Sequence, residues 1–351
     1  MKTIKDTNIK DKTILVRVDY NVPLDNGKVT SDLRIRTSLP TLQYLREHGA
    51  SKIILISHLG RPEGPDASLS LKPVADTLAK LLPDVHFVDA VSGEPVQQAV
   101  DSLKPGGILL LENLRFFPGE ESNSSDFIKD IVDSTHADLY VQDGFAVIHR
   151  AHASTDAVKQ HLPVYAGLLL ENEISNLSSA TTHPDSPVLL IIGGAKVEDK
   201  QPLIDKFLAK ADHIFVGGKI AADGYTATSD KIYVAEDFDE DSAGHKLDIG
   251  PLSTTKLANL ITDANTIIWN GLLGYAEDPA YATASTIAAE MLGEKPDTAT
   301  TIICGGDTTG FVEHLMADHP NLHYSLVSTG GGAALEFLLG NKLPGLEAIL
   351  S

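Results

Sequence analysis

The stretch "VQDGFAVIHRAHAST", Val141 to Thr155, leaves an apolar strand-like run through Gly-Phe-Ala and then delivers His149, Arg150 and His152 almost together. A guanidinium set among imidazoles suits an anion, because its planar fork donates two parallel hydrogen bonds to phosphate or carboxylate. The histidines make a poor zinc site: they are spaced i,i+3, with no third ligand and no adjacent glutamate. Similar clusters follow other apolar runs. Asp19 and Asn21 come after "TILVR", with Arg34 beyond a loop; "SHLGRP" supplies His58 and Arg61, and "LLENLRF" supplies Arg115. One such arginine alone reads as a surface ion pair. Four of them with a histidine, all at strand ends, read as a cradle for a small, multiply anionic molecule.

The second half carries a different chemistry. "IIGGAKVEDK" ends an apolar run in two glycines and then places Lys196 and Lys200 four apart. On a helix that spacing puts both ammonium groups on one face, beside the exposed N–H groups and positive dipole end that favour phosphate. The Gly-x4-Gly-Lys-Ser/Thr loop is missing, and Pro202 suggests a helix that starts late. "ICGGDTTGF" sets Gly305, Gly306, Asp307 and Thr308 between a strand and a helix. Asp307 is either a ligand of the Mg²⁺ that accompanies a nucleotide or simply a helix cap. "VSTGGGAALEF" adds Thr329 and three glycines, a third turn where backbone amides can approach phosphate.

Strands must aim these clusters. Nine short runs qualify: "TILVRVDYN", "KIILISHLG", "GILLLENLR", "DLYVQDGF", "PVLLIIGG", "HIFVGG", "TIIWNG", "TIICGGD" and "YSLVSTGGG". They are continuously apolar rather than alternating, as strands buried on both faces are. Helical stripes fill the gaps: Leu39, Leu42 and Leu45 before a stop at Gly49; Val74, Leu78 and Leu82 after Pro73; and Leu203, Ile204, Phe207 and Leu208. The fold class is therefore α/β, two Rossmann-like, doubly wound parallel-sheet domains joined by a helix and hinge. The boundaries are expected at 1–165 for the first domain, 166–185 for the joining helix "AGLLLENEISNLSSATT" and its linker, and 186–335 for the second. Ligands of such sheets bind outside the carboxyl ends of the strands, where every cluster above lies.

Composition narrows the partners. The 351 residues favour two domains over one core. With 48 acidic residues against 28 Lys plus Arg, a charge of −20, nucleic-acid binding is not expected. No run reaches the roughly 20 apolar residues of a membrane span, and the charged N-terminus lacks a secretory signal. One cysteine, Cys304, forms no intrachain disulfide and points to a reducing, cytoplasmic setting.

Taken in order, "VRVDYNVP", "SHLGRP", "LLENLRF", "HRAHAS", "GGAKVEDK", "LDIGP", "WNGLLGYAE", "GGDTT" and "STGGGAALEFLLGNKLPG" closely resemble the phosphoglycerate kinase family over nearly the whole chain. The resemblance implies two Rossmann-like domains that close over their substrates, residues 336–351 returning as a tail to the first domain, and a monomer. It implies reversible phosphoryl transfer between 1,3-bisphosphoglycerate and ADP, giving 3-phosphoglycerate and ATP with Mg²⁺. By position, Asp19, Asn21, Arg34, His58, Arg61, Arg115 and Arg150 correspond to the 3-phosphoglycerate site. Lys196 and Lys200 correspond to phosphate-contacting lysines. Gly194, Gly217, Gly218, Gly250, Asn270, Gly274, Glu277, Gly305 and Gly306 correspond to nucleotide positions, Asp307 to the magnesium-linked aspartate and Thr308 to its neighbour.

The chain departs from the family's pattern in places. Gln142-Asp143-Gly144-Phe145-Ala146 stands where Asn-Asp-Ala-Phe-Gly is usual, Leu272 replaces Pro, Cys304 replaces Gly and Ala334 replaces Ser. The stretch between "VGGKIAADG" and "LDIGP" looks several dozen residues short. Direct in-line transfer needs positioning and electrostatics rather than a general base, so Arg34, Lys196 and Lys200 are the expected catalytic groups. A dinucleotide dehydrogenase is disfavoured because no Gly-x-Gly-x-x-Gly turn opens the first unit. A two-lobed anion-binding protein without activity leaves Lys200 unexplained.

Overall fold

The computed structural model describes residues 1–350 and divides into two compact units, 1–172 with 342–350 and 173–341. In the first, β1 (Thr13–Arg17) precedes a small ribbon, β2 (Leu24–Asp25) with β3 (Lys28–Val29), and helix α1 (Leu33–Glu47). Then come β4 (Lys52–Ile56), α2 (Lys72–Leu81), β5 (Val85–Val88), α3 (Glu94–Ser102) and β6 (Gly107–Leu111). Short α4 (Pro118–Glu121) and α5 (Ser125–Thr135) lead to β7 (Leu139–Gln142), β8 (Val164–Ala166) and α6 (Leu168–Thr182), whose residues from Glu173 on belong to the second unit. The six main strands are all parallel, in the order β5-β6-β4-β1-β7-β8.

The second unit repeats the plan. It runs β9 (Val188–Ile192), α7 (Val197–Phe207), β10 (His213–Val216), α8 (Gly218–Ala222), β11 (Ile232–Val234) and an antiparallel ribbon, β12 (Phe238–Glu240) with β13 (Lys246–Ile249). It continues α9 (Pro251–Asp263), β14 (Thr266–Asn270), α10 (Thr283–Gly293), β15 (Thr300–Cys304), α11 (Gly306–Asp318), β16 (Leu326–Val327) and α12 (Gly331–Leu339). Its parallel sheet has the order β11-β10-β9-β14-β15-β16. A last helix, α13 (Pro344–Leu350), belongs to the first unit, where Gly345 N donates to Ile148 O at 2.9 Å.

The order of each sheet fixes where a ligand can lie. Strand order reverses beside β1 and β7 in the first unit and beside β9 and β14 in the second, which opens a crevice at their carboxyl ends. All five residues of β6, β9 and β14 are buried, as expected of strands covered on both faces. One helix differs from expectation: α7 begins at Val197, ahead of Pro202 rather than after it. The bond that Pro202 cannot make would fall on the carbonyl of Glu198, an exposed residue, so water can take its place.

Candidate functional site

In the first unit the anion cradle forms around His58. Strand β4 delivers this ring to the sheet's carboxyl edge, 4 % exposed. Burial drives its pKa well below the ordinary value, and the guanidiniums of Arg17, Arg115, Arg150 and Arg34 push it further in the same direction. The ring therefore lies neutral within a cluster of four cations. Arg34, from α1, pairs with Asp19 after β1. Arg115 donates from Nη1 to Gly60 O at 2.6 Å, and its Nε lies 3.0 Å from Glu121. Arg150 donates from Nε to His149 Nε2 at 3.2 Å, so His149 orients Arg150. Asn21 Oδ1 accepts from Gly60 N at 2.8 Å and ties the first two loops together. Arg61 follows on the same loop as His58 and Gly60 but is exposed.

Arg17 is absent from the sequence-predicted set, although "LVRV" displays it: an arginine closing a central, otherwise apolar strand. It is 1 % exposed. Its Nε donates to Ser154 Oγ at 3.0 Å, Nη1 to Val18 O at 2.9 Å and Nη2 to His58 Nδ1 at 3.0 Å. Ser154 passes the link on, donating from Oγ to buried Glu120 at 2.6 Å and from its amide at 3.0 Å. His152 is also held neutral, pushed down to about 4 by burial and then by Arg115 and Arg17.

The second unit carries a cleft of about 470 Å³ at the carboxyl ends of β9, β14 and β15. Gly194, Lys196, Lys200, Gly274, Glu277, Gly305, Gly306, Asp307 and Thr308 line it, joined by Lys219, Lys246, Leu272 and Tyr275. The last four were not predicted as site residues. Lys246 comes from the β12–β13 ribbon, whose placement no local pattern announces. Backbone contact builds the floor. Trp269 Nε1 donates to Gly271 O at 2.7 Å, Gly194 N to Leu272 O at 2.7 Å, and Gly271 N to Thr308 Oγ1 at 2.8 Å. A Cβ on Gly193 or Gly271 would overlap the other's backbone, so glycine is required at both.

Lys200, partly buried, donates to Asn270 Oδ1. Burial lowers its pKa, against the opposing pull of the Asp199 and Asp307 carboxylates. Lys196 is exposed and stands at the N-cap of α7 with extended backbone, one step outside the helix that its spacing suggested. Asp307 has neither of the two fates in equal measure: Gly305 occupies the N-cap of α11, no side chain caps it, and the Asp307 carboxylate lines the cleft. Gly217, Gly218, Gly250 and Asn270 stand behind the wall. Gly218 packs on Leu272 O and Gly194 N, Gly217 on Leu273 and Phe215, and Gly250 on Asp237, whose carboxylate takes the Leu252 and Ser253 amides at 2.8 Å. The third glycine turn is structural. Thr329 donates from its amide and hydroxyl to buried Glu173 at 2.8 and 2.9 Å, and Gly331 packs on Gly305 and Gly306.

A family model described as phosphoglycerate kinase matches residues 4–232 and 222–341. The chain belongs to the phosphoglycerate kinase family. Relatives named phosphoglycerate kinase include those of Fervidobacterium nodosum, 40 % identical over 398 positions, and Moorella thermoacetica, 40 % over 395, each covering 99 % of this chain and 98 % of the relative. Among solved structures, phosphoglycerate kinase from Pyrococcus horikoshii OT3 superposes with a TM-score of 0.86 at 27 % identity, covering 100 % of this chain and 98 % of that one. That from Coxiella burnetii gives 0.80 at 32 %, covering 99 % and 98 %. Alignments of 398 and 395 positions against 351 residues make this a shortened member of the phosphoglycerate kinase family. The two family matches meet at 222–232, the β10–β11 crossover, where α8 is only 5 residues long.

Proposed function

We propose that this chain is a phosphotransferase of glycolysis, interconverting 1,3-bisphosphoglycerate plus ADP with 3-phosphoglycerate plus ATP. The observation that carries the reading is the gathering of Arg17, Arg34, Arg115 and Arg150 around a neutral His58, in a member of this family whose second unit bears a lysine-lined cleft of about 470 Å³. Arg34, Arg115 and Arg150 bind the acid's phosphate and carboxylate, with Asp19 and Asn21 fixing Arg34 and the loops. Arg61 joins them as an outer, exposed contact.

The nucleotide's phosphates take the cleft of the second unit. Amides at the start of α11 have no partner within the helix and point toward anions there. Gly194 and Gly271 let the chain approach closely, while Glu277 and Tyr275 lie at the nucleoside end. Lys200, with Lys196, stabilises charge spread over the moving phosphoryl group, and Asn270 aims Lys200. The acceptor is already a carboxylate or phosphate oxygen, so no side chain must remove a proton. No group of three His, Cys, Asp or Glu that could hold a metal occurs among the described residues. One carboxylate, Asp307, nevertheless fits Mg²⁺, which takes few protein ligands alongside phosphates and water. Bound there, the ion would neutralise phosphate charge. We place the enzyme in the cytoplasm as a monomer, the state the family resemblance implies, and its one cysteine is buried and forms no disulfide. Among the described residues no helix is long and apolar enough to cross a membrane.

A coupled assay of ATP-dependent consumption of 3-phosphoglycerate tests the reading. Saturable turnover that requires both substrates and Mg²⁺ is expected. Nucleotide binding with no turnover of the acid would reject it in favour of a binding protein.

A further inference from the structure

We propose that Arg17 is a positioning residue: by donating to His58 Nδ1 it fixes the imidazole in the tautomer protonated on Nε2, so that the ring presents one invariant N–H donor to the bound acid. This deepens the functional reading and rests on it. An arginine side chain has donors and no acceptor, so the 3.0 Å contact from Nη2 requires Nδ1 to carry the lone pair. The neutral ring then has its only proton on Nε2. Arg17 itself is too deeply buried to touch a substrate, and it is aimed from every side. Ser154 Oγ fixes Nε, Val18 O fixes Nη1, and Glu120 supplies the balancing charge through Ser154. Tyr140 holds Ser154 in turn, donating from its hydroxyl to the Ser154 carbonyl. Such a chain does more than satisfy a buried charge, because it reaches a ring that lies among the anion-binding arginines. Burial and those arginines keep His58 neutral, which is the state in which the choice of tautomer matters.

Nitrogen-15 NMR of the full-length chain, labelled in histidine, reads the tautomer directly. The wild type should show His58 protonated on Nε2 and bare on Nδ1 at neutral pH. Arg17→Met should populate both tautomers and raise the KM for 3-phosphoglycerate about tenfold, the scale of one hydrogen bond to a charged ligand, with a smaller change in kcat. Ser154→Ala keeps Arg17 but releases its Nε, and should shift the tautomer ratio in the same direction; it decides the matter if Arg17→Met fails to fold. Side-chain mimicry adds an independent arm. The amide N–H of His58→Gln lies near the Nε2 position and should retain more affinity for the acid than His58→Asn, whose amide lies near Nδ1. A wild-type ring protonated on Nδ1, or Asn rescuing as well as Gln, overturns the proposal. A wild-type Nε2 tautomer in a chain that does not turn over 3-phosphoglycerate would instead overturn the functional reading and leave the tautomer assignment standing.

Discussion

Lys200 illustrates how a charge is prepared in a place that disfavours it. Burial lowers its pKa, but Asn270 Oδ1 accepts from the ammonium, and Asn270 is itself pinned, donating from Nδ2 to Cys304 Sγ at 3.2 Å. A glycine at 304 would offer no such partner, so this chain holds its lysine through a thiol. The thiol is buried and pushed up to about 11, first by that burial, which leaves it a neutral hydrogen-bonding group. Lys200→Ala should lower kcat by about a hundredfold or more, the scale of losing one preorganised donor to transferring charge, with little change in KM for the acid. Asn270→Ala should reduce kcat less, because it misdirects the ammonium without removing it. Steady-state kinetics of the two variants check the ranking; equal turnover in wild type and Lys200→Ala would remove Lys200 from the reacting centre.

Two glycines separate what an element needs to fold from what it needs to bind. Gly271, at φ +102, sits where a methyl would overlap Gly193, so Gly271→Ala should destabilise the second unit by about 2 kcal/mol or more. Gly306, in the first turn of α11, has ordinary φ and nothing within 4 Å of a built Cβ. Gly306→Ala should leave stability within about 0.5 kcal/mol and yet raise the KM for nucleotide, since its methyl enters the cleft. Urea unfolding and nucleotide titration of both variants separate the cases. The same contrast explains what the sequence could show. The nine continuous apolar runs were legible because strands buried on both faces leave little choice of residue. Strands β5, β8 and β11 went unread because they are short sheet edges with partly exposed residues. Arg115 and Arg150 were legible because each follows an apolar run, whereas Arg34 comes from α1, Arg61 stays exposed, and Arg17, the last residue of β1, passed as part of its apolar run. Lys246 could not be foreseen, for nothing local tells that a ribbon will wall a cleft, whereas Tyr275 lies between the predicted Gly274 and Glu277.

Across the whole molecule, opposing buried titrations set the response to pH. His58 and His152 are held neutral by burial and neighbouring arginines, so below the ordinary value of 6.5 the unfolded chain takes protons that the folded chain refuses, and stability falls as pH drops. Three carboxyls act in the reverse sense. Burial pushes Asp143 up to about 6, Asp248 to about 6 and Glu173 to about 7, despite the hydrogen bonds that Thr329 and Ser328 give Glu173. A raised carboxyl costs nothing while protonated in both states, and its ionisation removes stability as pH climbs from the unfolded toward the folded value. Around pH 5 to 6 the two sets offset each other, so the stability profile should be flat there. Glu173→Gln separates them. Its amide keeps an oxygen for Thr329 and imitates the protonated acid at every pH. The variant's stability relative to wild type should therefore grow with pH, by roughly 2 kcal/mol between pH 5 and 7.5. The sole tryptophan, Trp269, is fully buried in the same unit, so its fluorescence during urea unfolding reports on the part of the chain that holds Glu173. A gap that stays constant or narrows as pH rises would mean that Glu173 is already ionised in the folded protein.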